Sequence, residues 1–544
     1  MSAITSADRI GGGGSGASIE VPTSFQPDQD TVLINAESRL YDFPAATATF
    51  TPSSTSQILI PQHRSRYVLG GTTYLNFRVA VTGAVTVPAA GAAPALRFSP
   101  ALFFGGGPTK SAAALIDRIT VTAPNGQVLA DIPNYAQWHN ILLTHAASED
   151  YIRTASITEN AFGTVTSIGS LTPNSNDAGQ IIGTFTSTTS KLDIQLPLAI
   201  GLFSESKAFP LWALNGPLII IIQWASVARS LGVVGLGVNT LAVNAYSAGT
   251  TANSPAMTIS TLLSYAGEQL TIRQRCVDVD IDYINQQRML MMQGKVLTYN
   301  YRQTQNLVTQ LTGTANQISY NFGLNVSSLL AVFGINVMDN DCVGTSGAPV
   351  IATSCSGLLG SAGTNVGSWG YSGNEMSNVR VFRDGTQLST FNLLTDGQDD
   401  FFTPLQEAMG ILFSTSNSSI ARRIVNSGKD NTPNNQYLPN AIDNLRLAPG
   451  AAHGIIPPTT FPIPPAWQMS NYRGGSVYAP AAITWGYSTR MCNDANVANR
   501  GSQCSQLQVT ATPGNTSGTG YMYIYYVYSC AVSFDGTGNC VVRR

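Results

Sequence analysis

Along most of the chain, short runs of alternating apolar and polar residues are separated by clusters rich in Gly, Pro, Asn and Asp. Runs at 57–61, 67–81, 115–122, 127–131, 191–197, 217–225 and 269–282 predict strands in the first half. Runs at 296–302, 306–312, 317–325, 329–337 and 521–534 predict them in the second. In the last run of the first half, Asp278, Asp280 and Asp282 alternate with Val277, Val279 and Ile281, which as a strand sets the carboxylates on one polar outer face. Two segments depart from this period. Over 132–151, Tyr135, Trp138, Ile141, Leu142 and His145 recur at three and four residues and define one face of a helix. Residues 283–294 carry Gln, Arg, Met and Leu without alternation, which predicts a helical connector.

The pattern also echoes itself. A strand, an Asn125-Gly126 turn, a second strand and a helix follow Ile119, and Val379 opens a similar series with Asp384-Gly385 at the turn and a short helix over 403–413. The two turn glycines lie 259 positions apart, close to half of the 544 residues, so the chain reads as two copies of one all-β unit. The expected division is an extended arm over 1–48, a first unit over 49–282, the connector helix over 283–294 and a second unit over 295–544.

Length supports two cores rather than one. Composition then narrows the class. Apolar residues make up 43% and charged residues 11%, against about 25% charged in an ordinary soluble domain, so charge-driven disorder is excluded and much surface is expected to face neighbours. Lys and Arg total 28 against 30 Asp and Glu, and residues 1–62 carry two Arg and six acids, which argues against a basic genome-binding arm and against sequence-specific nucleic-acid binding. Residues 1–16 lack the apolar core of a secretory signal, and the hydrophobic stretch 196–224 is broken by Glu205, Lys207, Pro197, Pro210 and Pro217, so no membrane-spanning helix is expected. The seven cysteines are Cys276, Cys342, Cys355, Cys492, Cys504, Cys530 and Cys540; they form no CxxC pair, and reduced thiols are expected unless Cys492 bonds Cys504 or Cys530 bonds Cys540.

Candidate chemistry is sparse. The loop 105–111 has Thr109 where a phosphate loop needs glycine before Lys110. Ser346 within 344–349 and His145 faintly resemble the nucleophile and base segments of chymotrypsin-like proteases, but no acid is placed to hold the histidine. His63, His139, His145 and His453 lack the spacing of a zinc site, and 339–341 and 396–400 lack that of an EF-hand. The sequons at Asn325, Asn417 and Asn515 matter only in a secreted chain. No catalytic, cofactor-binding or metal-binding residue is assigned, no cofactor is expected, and no enzymatic turnover is expected.

One passage carries a family resemblance. Leu192-Asp-Ile-Gln-Leu-Pro-Leu, then Phe203, Phe209-Pro-Leu-Trp-Ala-Leu and Leu218-Ile-Ile-Ile-Ile-Gln-Trp224, together with 67–81 and the hairpin and helix after Leu115, resembles the major capsid proteins with two jelly rolls of icosahedral DNA viruses. Polinton-like viruses, virophages, adenovirus hexon and large algal viruses carry such proteins. The resemblance covers about residues 50–544 and transfers no catalytic residue. It implies two consecutive eight-stranded jelly-roll sandwiches with short inserted helices, and a homotrimer forming a pseudo-hexagonal capsomer in the virion shell, assembled inside the host cell around a DNA genome. The partners it implies are the chain itself, neighbouring capsomers, and penton and minor capsid or cement proteins, with an inner membrane left open. Segments 82–100, 226–256 and 343–373 are expected as outward loops. The rival readings are a single-jelly-roll coat with a protruding domain, a carbohydrate-binding or adhesive β-sandwich, and a serine hydrolase acting through Ser346.

Overall fold

The structure, a computed structural model, describes residues 18–20, 36–87, 96–104, 111–145, 158–159, 174–175, 181–186, 191–205, 207–239, 258–311, 317–338, 350–352, 378–388, 404–405, 407–409, 484–489, 501–512 and 520–544. It is mostly β, as the alternation predicts. The first unit is built on β1 (Glu37–Pro44), β2 (Thr55–Ile60), β3 (Arg66–Val87), β4 (Ile116–Thr122), β5 (Val128–Pro133), β6 (Leu192–Pro197), β7 (Leu218–Trp224) and β8 (Thr258–Asp278). One sheet runs β1-β8-β3-β6 and the other β2-β7-β4-β5. First pairs with eighth, second with seventh, third with sixth and fourth with fifth, so the unit is one long antiparallel hairpin folded over itself, which is a jelly roll.

Each sheet buries one face. Along β2, Ser56, Ile58 and Ile60 are buried between exposed neighbours, and along β7 Leu218, Ile220, Ile222 and Trp224 are buried. Leu75, Phe77, Val79, Ile194 and Leu196 fill the core from the facing sheet. Phe50 stacks on Trp224 at 3.5 Å between centroids and lies over Gly267, where an added Cβ would sit 1.9 Å from the ring. Glycine at that point of β8 makes room for the aromatic stack.

Helix α1 (Tyr135–His145) follows β5. Tyr135, Trp138 and Ile141 of its expected face are buried and Leu142 is half-buried.

The second unit repeats the order with β9 (Val296–Leu311), β10 (Ile318–Met338), β11 (Asn378–Arg383), β12 (Thr386–Gln387), β13 (Thr484–Ser488), β14 (Ser502–Thr512) and β15 (Gly520–Phe534). Here β10 serves as both second and third strand. Its residues 318–329 pair with β14, whereas 329–338 pair with β15 on one side and 331–335 pair with β13 on the other. The sheets are therefore β9-β15-β10-β13 and β10-β14-β11-β12, the same folded hairpin. Register shifts at Gly323/Val326 and Val326/Leu329, with Asn325 at φ +51°, turn the strand from one sheet into the other. The fourth-to-fifth connections are the Asn125-Gly126 and Asp384-Gly385 turns, both glycines at φ +81°. The echo in the sequence thus marks the tip of each folded hairpin.

Several expectations need correction. The strand expected over 269–282 ends at Asp278; Asp280 instead caps α2 (Ile281–Met292), accepting a 3.0 Å bond from the Asp282 N–H, so the three aspartates share no strand face. The residues read as an arm include β1, an edge strand paired with β8, because Phe43 is needed to cover the core. Ser18–Glu20 pairs in parallel with Val296–Thr298 of β9, so the arm adds to the second unit's sheet. The segments expected as outward loops contain strands: Leu96–Phe104 pairs with Leu231–Asn239, which pairs in parallel with Val350–Ala352. These three form a small sheet with strands from both units. Of the short helix expected over 403–413, residues 404–405 and 407–409 are helical, with Leu405, Ala408 and Met409 buried.

Candidate functional site at the seam between the two units

A contact between the units gives the chain its distinctive construction. Residues 522–528 of β15 are buried without a break. Alternate side chains of a strand point to opposite faces, so both faces of β15 are covered. Tyr525 reaches the first unit, its hydroxyl donating to the Asn134 carbonyl at 2.8 Å and its ring lying 5.4 Å from that of Trp138. Trp138 also approaches Phe333 of β10 at 5.9 Å. Asn134, at φ +51° ahead of α1, donates through Nδ2 to Asn306 Oδ1 at 3.0 Å.

The centre of the seam is a close backbone approach. Residues 201–204 run between β3 and β9. An added Cβ at Gly201 would lie 1.5 Å from the Arg302 carbonyl oxygen, and one at Gly70 would lie 1.4 Å from that of Glu205. The Glu205 carboxylate accepts from the Arg302 backbone N–H at 2.9 Å and from its guanidinium Nε at 2.7 Å. Tyr299 donates to the carbonyls of Leu202 or Lys207, at 3.1 and 3.2 Å, and Tyr301 donates to that of Leu129 at 2.6 Å. Phe209 packs edge-on against Tyr299 and Phe534. Burial raises the phenols of Tyr299, Tyr301 and Tyr525 well above their ordinary range, so they remain hydrogen-bond donors at any physiological pH.

The Asn125-Gly126 tip and the loop ahead of β7 also join the seam, both against the turn after β15. Asn125 donates to the Cys540 carbonyl at 2.7 Å, and Asn215 donates through its backbone N–H to the Gly538 carbonyl at 3.2 Å. Satisfied buried donors and acceptors from both sides hold the units in one register.

At the end of β8 stands a second fixed cluster. Asp278 accepts from Arg66 at 2.8 and 3.0 Å and from the Tyr41 hydroxyl at 3.0 Å, and the Arg66 guanidinium lies 3.9 Å from the Tyr41 ring centroid. Burial pushes the Asp278 carboxyl up, but the bonds from Arg66 and Tyr41 outweigh it and leave the group below its ordinary value. The clamp therefore acts at full strength above about pH 4 and is lost as pH falls through that depressed value.

His145 closes α1, and 339–349 and 396–400, including Ser346, lie outside the described residues, as do Asn417, Asn515 and 105–110. Ser111, buried at the foot of that loop, donates to Glu159 Oε2 at 2.8 Å, and His139 Nε2 lies 2.7 Å from the same oxygen. Both groups bond the carboxylate rather than each other, so Ser111 and His139 do not form the serine–histidine pair of a hydrolase. This buried trio left no signal in the sequence beyond a lone polar residue on a helix. Among the described residues, no three His, Cys, Asp or Glu gather as metal ligands.

Cys276, Cys504, Cys530 and Cys540 are free and buried, so the bond considered between Cys530 and Cys540 does not form. Strand pairing sets Cys540 opposite Phe534, four residues from Cys530 or about 13 Å, beyond disulfide reach. Burial raises the thiols of Cys276 and Cys530 to about 12 and those of Cys504 and Cys540 to about 11. An unfolded thiol titrates near about 8.5, so the stabilisation from keeping these groups neutral is complete below that pH and lost as pH rises toward the folded values. The guanidinium midpoint is expected to hold from pH 7 to 8 and fall between pH 9 and 11, each thiol contributing up to about 1.4 kcal/mol per pH unit. Cys276→Ala is expected to make that fall shallower; an unchanged slope would contradict the assignment.

Comparison with known proteins agrees with this architecture. Neither a family profile nor a curated protein sequence matches the chain. Among solved structures, the Faustovirus major capsid protein shares its fold, with a TM-score of 0.50 at 9% identity over 93% of this chain and 91% of that one. PBCV-1 VP54 gives a TM-score of 0.46 at 10% identity, covering 95% and 99% of the two chains. A chain of the Sputnik virophage gives 0.45 at 12% identity, covering 95% and 90%.

Proposed function

We propose that the chain is the major capsid protein of an icosahedral DNA virus, located in the virion shell and acting as a structural block rather than an enzyme. The observation that carries this reading is the seam: two jelly rolls of one strand order, fused through buried backbone contacts, in a fold shared with the Faustovirus major capsid protein. A shell tile has to resist bending between its halves, and a satisfied, close-packed seam supplies that stiffness. The charged share of only 11% suits a block whose flanks are covered by neighbours, since each buried charge needs a partner.

In this reading three copies form a pseudo-hexagonal capsomer with six jelly rolls. Capsomers then meet one another, penton and minor capsid or cement proteins, and an inner membrane where the virus has one. Native mass with negative-stain imaging tests it. A species of three chain masses with a six-lobed outline is expected. A monomer at every concentration, with no tiles, would overturn the reading.

A further inference from the structure

A cavity of about 320 Å³ lies where the first unit, α2 and the turn after β15 meet. Trp212, Met291 and Met292 give it apolar walls, and Arg288 and Asp535 bring opposite charges from different elements. Neither charge is fully used. Arg288 donates to the carbonyls of Arg64 and Trp212, at 3.5 and 3.4 Å, and its guanidinium lies 5.8 Å from the Trp212 ring centroid, but no described carboxylate pairs with it. The Asp535 carboxylate accepts through Oδ1 from Thr537 and Asn539, and no described cation pairs with it. Met292, at the rim, is 76% exposed.

The pairing of Ser18–Glu20 with Val296–Thr298 is parallel, so the Ser18 end of that strand lies beside the Val296 end of β9; α2 precedes β9, and its Met291 and Met292 line the cavity. Residues 11–16 are five glycines and Ser15, which bring no bulk ahead of that strand. Just before them stand Asp8, Arg9 and Ile10, and Asp8 and Arg9 are the charged side chains of residues 1–19. In an extended chain adjacent side chains point to opposite sides, which suits two walls of opposite sign. Reach is sufficient: Met292 and Val296 are at most about 15 Å apart and paired strands about 5 Å, against about 26 Å for the eight steps from Ser18 to Ile10.

We infer that residues 7–10 of the arm dock in this cavity of their own chain, Asp8 against Arg288, Arg9 against Asp535 and Ile10 against Trp212 and Met291. The arm then ties both units and the connector together. The inference stands independently of the capsid reading, because it concerns the isolated chain.

Crosslinking of the full-length chain tests it. The double variant Ile10→Cys with Met292→Cys is expected to form an intrachain disulfide under mild oxidation, identified by peptide mapping. Adding Arg288→Glu is expected to lower its yield several-fold, and adding Asp8→Lys as well to restore it. Asp8→Lys alone is expected to lower the yield too, and thermal melting checks that the body stays folded. A yield no higher than that of Ser2→Cys with Met292→Cys, a link between chains, or indifference to the charge reversals would each overturn the inference.

Discussion

Gly201→Ala is expected to cost more than about 3 kcal/mol or to abolish soluble expression, although it adds a single methyl group. The added carbon would lie 1.5 Å from the Arg302 carbonyl oxygen, and both sides of that contact are backbone. No rotamer change relieves it, so either residues 200–205 or β9 has to move. Moving them separates Glu205 from Arg302, whose side chains are only 16% and 26% exposed, and removes the acceptors of the Tyr299 hydroxyl. A partly buried carboxylate without its guanidinium partner adds a desolvation penalty of its own. Gly323→Ala is the internal control, since a Cβ there meets nothing within 4 Å, and it is expected to change stability by less than about 0.5 kcal/mol. Equilibrium unfolding in guanidinium compares the two. Equal stabilities would refute the close approach at the seam.

Trp138→Ala is expected to destabilise by about 3–5 kcal/mol, the range for emptying a buried indole site. Its ring is buried between α1 and the second unit, against Phe333 and Tyr525. The loss falls on the contact between the units rather than on either sandwich core, so unfolding is expected to change from one transition to two as the halves uncouple. Tyr525→Phe keeps the ring and removes only the donor to Asn134, so it is expected to cost about 1–3 kcal/mol and to leave a single transition. Differential scanning calorimetry distinguishes them. A single, merely lowered transition in Trp138→Ala would mean that the seam is not where the two halves part.

Local signals made much of the fold legible. The turns at Asn125-Gly126 and Asp384-Gly385 depend on residues that tolerate positive φ, so the tips of both folded hairpins could be read directly. The three- and four-residue recurrence around Trp138 located α1. The helix expected at 283–294 begins two residues earlier, because capping by Asp280 looks like strand alternation when three aspartates are spaced by two. Long-range features were not legible. Gly70 and Gly201 owe their smallness to backbone more than a hundred residues away, and a glycine in an ordinary loop gives the same letter. The continuity of β10 across both sheets was hidden because Asn325 and its bulges resemble the end of a strand. Nor did 82–100 and 226–256 announce their strands, since Gly, Ala, Ser and Thr there carry little alternation. Of the seam, only the unbroken apolar and aromatic run 521–528 carries a sign that both faces of that strand are covered.

The place of β15 has a consequence for synthesis. It is the last long strand made, yet it lies between β9 and β10 and supplies the wall that meets Trp138. The first unit has all its strands once Asp278 emerges from the ribosome, whereas the second sheet and the seam must wait for residues 520–534. A nascent chain is therefore a finished half joined to an open one, with the edges of β9 and β10 unpaired until translation is nearly complete. Rigidity arrives at the final step, and truncated products lack the strand that couples the two units.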